Sequence, residues 1–152
     1  VNGEFETDIV GWNVYGCTPT FNSGTIEIGT IVVGQNPWDA AVNQFDFTLI
    51  EGQTYTITFD ARASAPRSIA IKTGLSIAPF TDYFFEEINL STQMETYSFS
   101  FVMDRPSTTI ASLDFFVGTS AITVFVIVNH LHCFIHAINS NNLQHSCPSC
   151  RH

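Results

Sequence analysis

Hydrophobic and polar residues alternate with a period of two along most of the chain. Tyr55, Ile57 and Phe59 alternate with Thr56, Thr58 and Asp60, and Tyr97, Phe99, Phe101 and Met103 alternate with Ser98, Ser100 and Val102. Leu113, Phe115 and Val117 alternate with Ser112, Asp114 and Phe116, and Ile26 and Ile28 flank Glu27. Successive side chains on a strand point to opposite faces, so this period marks strands with one face in a core and the other outside. The breaks carry turn chemistry at Asn22-Ser23-Gly24, Glu51-Gly52, Ala65-Pro66 and Arg105-Pro106. No stretch sustains a helical period. Several short strands at this spacing predict an all-β domain, read as a jelly-roll β-sandwich of two antiparallel sheets. Tyr55, Ile57, Phe59, Phe99, Phe101, Leu113 and Phe115 are expected in one core.

The pattern changes towards the C-terminus. Residues 122–128 read as a last apolar strand. All 14 acidic residues lie at or before Asp114, whereas His130, His132, His136, His145, His152, Cys133, Cys147 and Cys150 fall beyond it. The expected division is a sandwich over 1–128 followed by an atypical His- and Cys-containing extension over 129–152. Cys147, Cys150, His145 and His152 are zinc-ligand types, but a lone C-x2-C lacks the second half-site of a zinc module. The extension is expected to have no core of its own and no tight metal. Its alternative role is association, through residues 134–138.

Composition narrows the function classes. A chain of 152 residues is one domain and buries a core without disulfides. The net charge is −9 and the five basic residues are scattered, so there is no phosphate-binding footprint and nucleic acid is not an expected partner. No run of about 18 apolar residues exists to span a membrane as a helix. Val1-Asn2-Gly3 reads as a first strand with no signal peptide ahead of it, which suits a mature secreted protein and a cytosolic one equally. Glu86 and Glu87 are adjacent and face opposite sides of a strand, so no carboxylate pair stands out for glycoside hydrolysis. The chain is not expected to be an enzyme.

Four landmarks occur in order: Asn2-Gly3-Glu4-Phe5-Glu6 followed by Gly11-Trp12, then 34–42 (GQNPWDAAV), then 54–63 (TYTITFDARA), then Gly74 followed by Ala78-Pro79-Phe80. Over residues 2–126 the chain resembles the carbohydrate-binding modules of families 4, 9, 16 and 22. The resemblance implies a jelly roll that binds polysaccharide, a β-glucan or a xylan, without catalysis, as a secreted module attached to a glycoside hydrolase.

Individual residues carry two readings each. Trp12 and Tyr15 are separated by an odd step, so Trp12 suits the core and Tyr15 projects outward, either to stack on sugar as the resemblance implies or to cap a sheet edge. Trp38 offers a broad π-face for a pyranose, or closes one end of the sandwich. Phe80 takes the place of the family's stacking Tyr, Ser76 that of an Asn and Leu75 that of a Gln, so two polar contacts are weakened; Phe80 could instead be core. Asn43 and Gln44 carry amides suited to vicinal hydroxyls, and register decides which of them faces a ligand. Phe116 lies on the non-core side, in a groove or under a loop. Arg62 shares the outward side with Asp60 and either bridges sugar hydroxyls or pairs with a carboxylate. The resemblance also implies a structural Ca²⁺ held by Glu4, Gly24 and Glu6 and by an Asp on the last strand. Near Ile127 and Val128 that Asp is absent.

Two functions of different class follow. One is non-catalytic binding of a single polysaccharide chain in a sheet groove. The other is a structural or assembly protein on the same scaffold, self-associating through an edge strand or the C-terminal extension.

Overall fold

The structure is a computed structural model that describes residues 11–22, 24–127 and, for the backbone, 135–138. Its strands are β1 (Trp12–Tyr15), β2 (Thr18–Asn22), β3 (Thr25–Gly29), β4 (Ala41–Leu49), β5 (Thr54–Ala63), β6 (Arg67–Leu75), β7 (Asp82–Leu90), β8 (Glu95–Val102), β9 (Thr108–Phe116), β10 (Val124–Ile127) and β11 (Ile135–Ile138). A single 3-10 turn, Pro37–Asp39, precedes β4. One sheet has the order β1-β4-β9-β6-β7; the other runs β11-β5-β10-β3-β2 with β8 also on β5. All pairings are antiparallel. The expected all-β sandwich is what the chain forms.

β8 flanks β5 along residues 54–61. β10 and β11 therefore both lie on its other side, β10 against residues 60–63 and β11 against 54–57. Four residues of the segment expected to follow the sandwich thus pair within it. His130, His132, Cys133, His145, Cys147, Cys150 and His152 lie outside the described residues.

Alternation builds the core as the sequence leads one to expect. Ile57, Phe59, Leu113 and Phe115 join Trp12, Ile26, Ile28, Ile69, Ile71, Val124 and Val126 between the sheets. Phe115 meets Phe59 edge to face at 5.1 Å between ring centres. Each large side chain buried there contributes about 1.5–3 kcal/mol. Two expectations need correction. Tyr55 belongs to a separate cluster with Leu49, Met103 and Ala111 at one end of the sandwich, where its hydroxyl accepts from Ile50 N at 2.8 Å. Phe99 and Phe101 are only partly buried, because β8 is an edge strand and one flank stays open.

A bulge in β4 also alters the simple period. Asp46 sits at φ 65° and the register shifts between Phe45 and Phe47. Asp tolerates this left-handed region better than most residues. The extra residue turns Phe47 towards the core while Phe45 stays on the outward side.

Candidate functional site

Residues directly opposite each other in an antiparallel pair share a face, so register alone lays out the outward side of the five-stranded sheet. One rank crosses it as Asn13, Asn43, Asp114, Lys72 and Phe85. The next runs Tyr15, Ala41, Phe116, Ala70 and Glu87. A third runs Phe45, Ser112, Gly74 and Asp82. Over these ranks lies a groove of about 490 Å³ running across the strands, with Tyr15 and Trp38 on the β1 side and Phe80 and Phe85 on the β7 side. Its size falls in the ~300–1,000 Å³ range of small-ligand clefts.

Each wall is set by backbone geometry. Tyr15 projects outward because Trp12, an odd step away, is drawn into the core. Trp38 rides on the 3-10 turn, where Pro37 occupies the first turn and Asn36 N donates to Asp39 Oδ2 at 2.9 Å. The turn is pinned to the end of β9: Val117 N donates to Ala40 O and Gly118 N to Pro37 O, each at 2.8 Å. Position 118 must be glycine for this approach, since a Cβ there would lie 2.6 Å from Asn36 O and 2.7 Å from Ala40 N. Opposite, the β6–β7 connection closes with Leu75 N donating to Thr81 O at 2.9 Å and Phe80 N to Ile77 O at 2.8 Å. These supports leave Tyr15, Trp38 and Phe80 with 45%, 52% and 57% of their surfaces exposed.

The floor is polar. Asn43 Nδ2 donates to Asp114 Oδ1, and Ser112 Oγ donates to Asp114 Oδ2 at 2.8 Å. Burial pushes the Asp114 carboxyl above its ordinary value, with Asp82 adding to the rise; the bonds from Ser112 and Asn43 and the charge of Lys72 act the other way. Lys72 Nζ pairs with Asp82 Oδ1 at 3.1 Å. Asn43 Oδ1 is buried without a partner, an acceptor left on the groove floor. The Tyr15 hydroxyl is pushed up by burial, then by Asp114, Asp39 and Cys17. Exposed ring faces flank a strip of hydrogen-bonding groups. Such a site grips a ligand with apolar faces and hydroxylated edges.

The structure brings Tyr15, Trp38, Asn43, Ser76, Phe80 and Phe116 together around the groove. It does not bring Gln44 or Arg62. Gln44 is buried opposite Trp12 and Leu113 on the inner side of β4, one step from Asn43 and hence on the other face. Arg62 belongs to the other sheet, where its guanidinium carbon lies 3.8 Å from the centre of the Phe125 ring. Of the calcium positions, Glu4 and Glu6 lie outside the described residues. Gly24 is in the β2–β3 turn, beside Thr25, and the residue opposite Thr25 is Ile127, a hydrocarbon where Ca²⁺ needs oxygen. Sequence reasoning missed Phe45, Lys72, Asp82, Phe85 and Asp114. The parity of Asp114 with Phe116, and a lone Lys72 within the apolar run of β6, are the signals that point to two of them.

A two-sheet sandwich with an aromatic-walled groove across one sheet has the form of a ligand-binding domain. The family model CBM_4_9, described as carbohydrate binding domain, matches residues 1–121, and the chain belongs to that family. Among solved structures it is similar to one described as "CBM4 structure and function", at 24% identity and a TM-score of 0.79, covering 91% of this chain and 99% of that one. It is also similar to the two N-terminal cellulose-binding domains of β-1,4-glucanase C from Cellulomonas fimi. The first matches at 18% identity and a TM-score of 0.70 over 89% of this chain and 93% of that one. The second matches at 20% and 0.68 over 82% and 86%. At these identities the likeness establishes the fold. No curated protein matches the sequence.

Proposed function

We propose that the groove binds one chain of a neutral β-linked polysaccharide, a β-glucan or a xylan, and that the domain serves as a secreted accessory module of a glycoside hydrolase. The observation that carries this is the placement of half-exposed rings on both sides of a buried polar floor: Tyr15 and Trp38 on one flank, Phe80 and Phe85 on the other. Pyranose rings present apolar C–H faces to aromatics and hydroxyls to amides and carboxylates. Facing walls suit a single chain; a flat crystalline surface would need coplanar rings. Among the described residues Lys72 is the one cation lining the groove, and it is paired with Asp82, which favours a neutral sugar over an acidic one. The Cellulomonas fimi domains come from a β-1,4-glucanase, which supports the accessory role. Attachment of such a module raises the local concentration of an enzyme on its substrate.

Affinity electrophoresis in gels containing hydroxyethylcellulose, laminarin or xylan tests the reading. Retardation in at least one gel is expected, and migration unchanged in all three overturns it. The competing self-association role predicts the second result together with an oligomeric mass by light scattering.

A further inference from the structure

We propose that Lys72 is a positioning residue for the groove: its ammonium holds Phe80 in the orientation on which a sugar ring stacks. This rests on the reading that the groove takes a polysaccharide.

Lys72 is buried, at 8% exposure, on the groove floor with Asn43, Ser112 and Asp114. A buried ammonium is stable only when its donors are satisfied. Lys72 spends two of them on one short segment: Nζ donates to Phe80 O at 3.0 Å and pairs with Asp82 Oδ1 at 3.1 Å. The same nitrogen lies 5.9 Å from the centre of the Phe80 ring, within reach of a cation–π attraction. That segment needs holding. Phe80 has φ 56°, a region bulky residues rarely occupy and keep only where surroundings over-determine them. Its ring is more than half exposed, so core packing does not supply the restraint. The restraints are the bond to Ile77 O and the grip of Lys72. In the opposite direction, Lys72 stands across from Asp114 in register, and its charge favours that carboxylate. With two donors engaged and little exposed surface, Lys72 acts through Phe80.

Lys72→Met keeps the stem and removes the charge; Lys72→Arg restores a charge. In hydroxyethylcellulose, laminarin and xylan gels, Lys72→Met is expected to bind about tenfold more weakly and Lys72→Arg within about threefold of the parent. In a Phe80→Ala background, Lys72→Met is expected to cost little more. Without any ligand, exchange of the Phe80 amide followed by NMR is expected to be faster in Lys72→Met. Asp82→Asn loosens the same grip from an exposed position, should produce a smaller acceleration, and stands in if Lys72→Met does not fold. Losses that multiply in the double variant, an unchanged affinity, or a Phe80 amide exchanging at the parent's rate would overturn the proposal. If the parent is retarded in no gel, the polysaccharide reading falls separately, and the exchange measurement alone decides whether Lys72 holds Phe80.

Discussion

On the outward side of β5 and β8, hydroxyls answer hydroxyls: Thr56 with Ser100 at 2.8 Å, Thr58 with Ser98 at 3.1 Å, and Thr96 donating to Asp60 at 2.5 Å, with Arg62 laid over Phe125 beside them. On the outward side of β4, β9 and β6, a carboxylate is buried, an amide oxygen lacks a partner, and large rings stand open at both flanks. Both faces obey the same period of two. They differ in whether the chain itself meets the needs of its outward residues. One face is complete in water. The other carries desolvated polar groups beside uncovered apolar surface, the combination that marks a face shaped for another molecule.

The contrast can be broken at several depths. The deepest is the core the faces share. Phe115→Ala is expected to lower the unfolding free energy by about 3–5 kcal/mol in urea titrations. A loss under about 1 kcal/mol would mean the sheets do not depend on this packing. Next is the open face. Tyr15→Ala combined with Phe80→Ala should weaken polysaccharide binding about a hundredfold, each ring contributing roughly a factor of ten. The urea midpoint should barely move, and undiminished retardation would place the ligand elsewhere.

The buried carboxylate gives a smaller effect with a defined sign. Asp114 is raised in the folded protein, so the folded state holds its proton more firmly than the unfolded chain. Its contribution to stability therefore falls as pH rises from the ordinary carboxylate value through the folded one. Asp114→Asn removes that slope. Urea unfolding between about pH 4 and pH 7 should show the variant gaining on the parent as pH rises; a variant that loses ground to the parent as pH rises contradicts the burial argument. The smallest effects belong to the complete face. Thr58→Ala and Arg62→Ala should change stability by no more than about 1 kcal/mol and leave affinity unchanged. A loss of binding in either would erase the distinction between the faces.

The architecture was legible in the sequence because the period of two is enforced by burial, and Ile57, Phe59, Leu113 and Phe115 had one inward face to choose. What escaped lay where another force overrode the period. The bulge at Asp46 separates Phe45 from Phe47, and nothing in the local residues announces it. Tyr55 keeps the inward parity but sits at the end of the sandwich, which only the strand offsets reveal. Of the aromatic walls, Tyr15, Trp38 and Phe80 could be read from the sequence, and Phe85 was missed. The floor could not: choosing Asn43 over Gln44 required the register, and Asp114 and Lys72 become groove residues only when β9 lies between β4 and β6. Arg62 was placed on the correct side of its strand; the sheet to which that strand belongs takes it away from the groove.

The position of β11 bears on the order in which the molecule is finished. It occupies the lane beside β5, along residues 54–57, that β10 leaves open. A chain leaves the ribosome from its N-terminus, and distant pairings form late. The early strands can assemble the groove and most of both sheets while that lane stands vacant, with half of β5 paired on one flank. It can close only once residues 135–138 have been made, so β11 is the last described strand available to the sandwich.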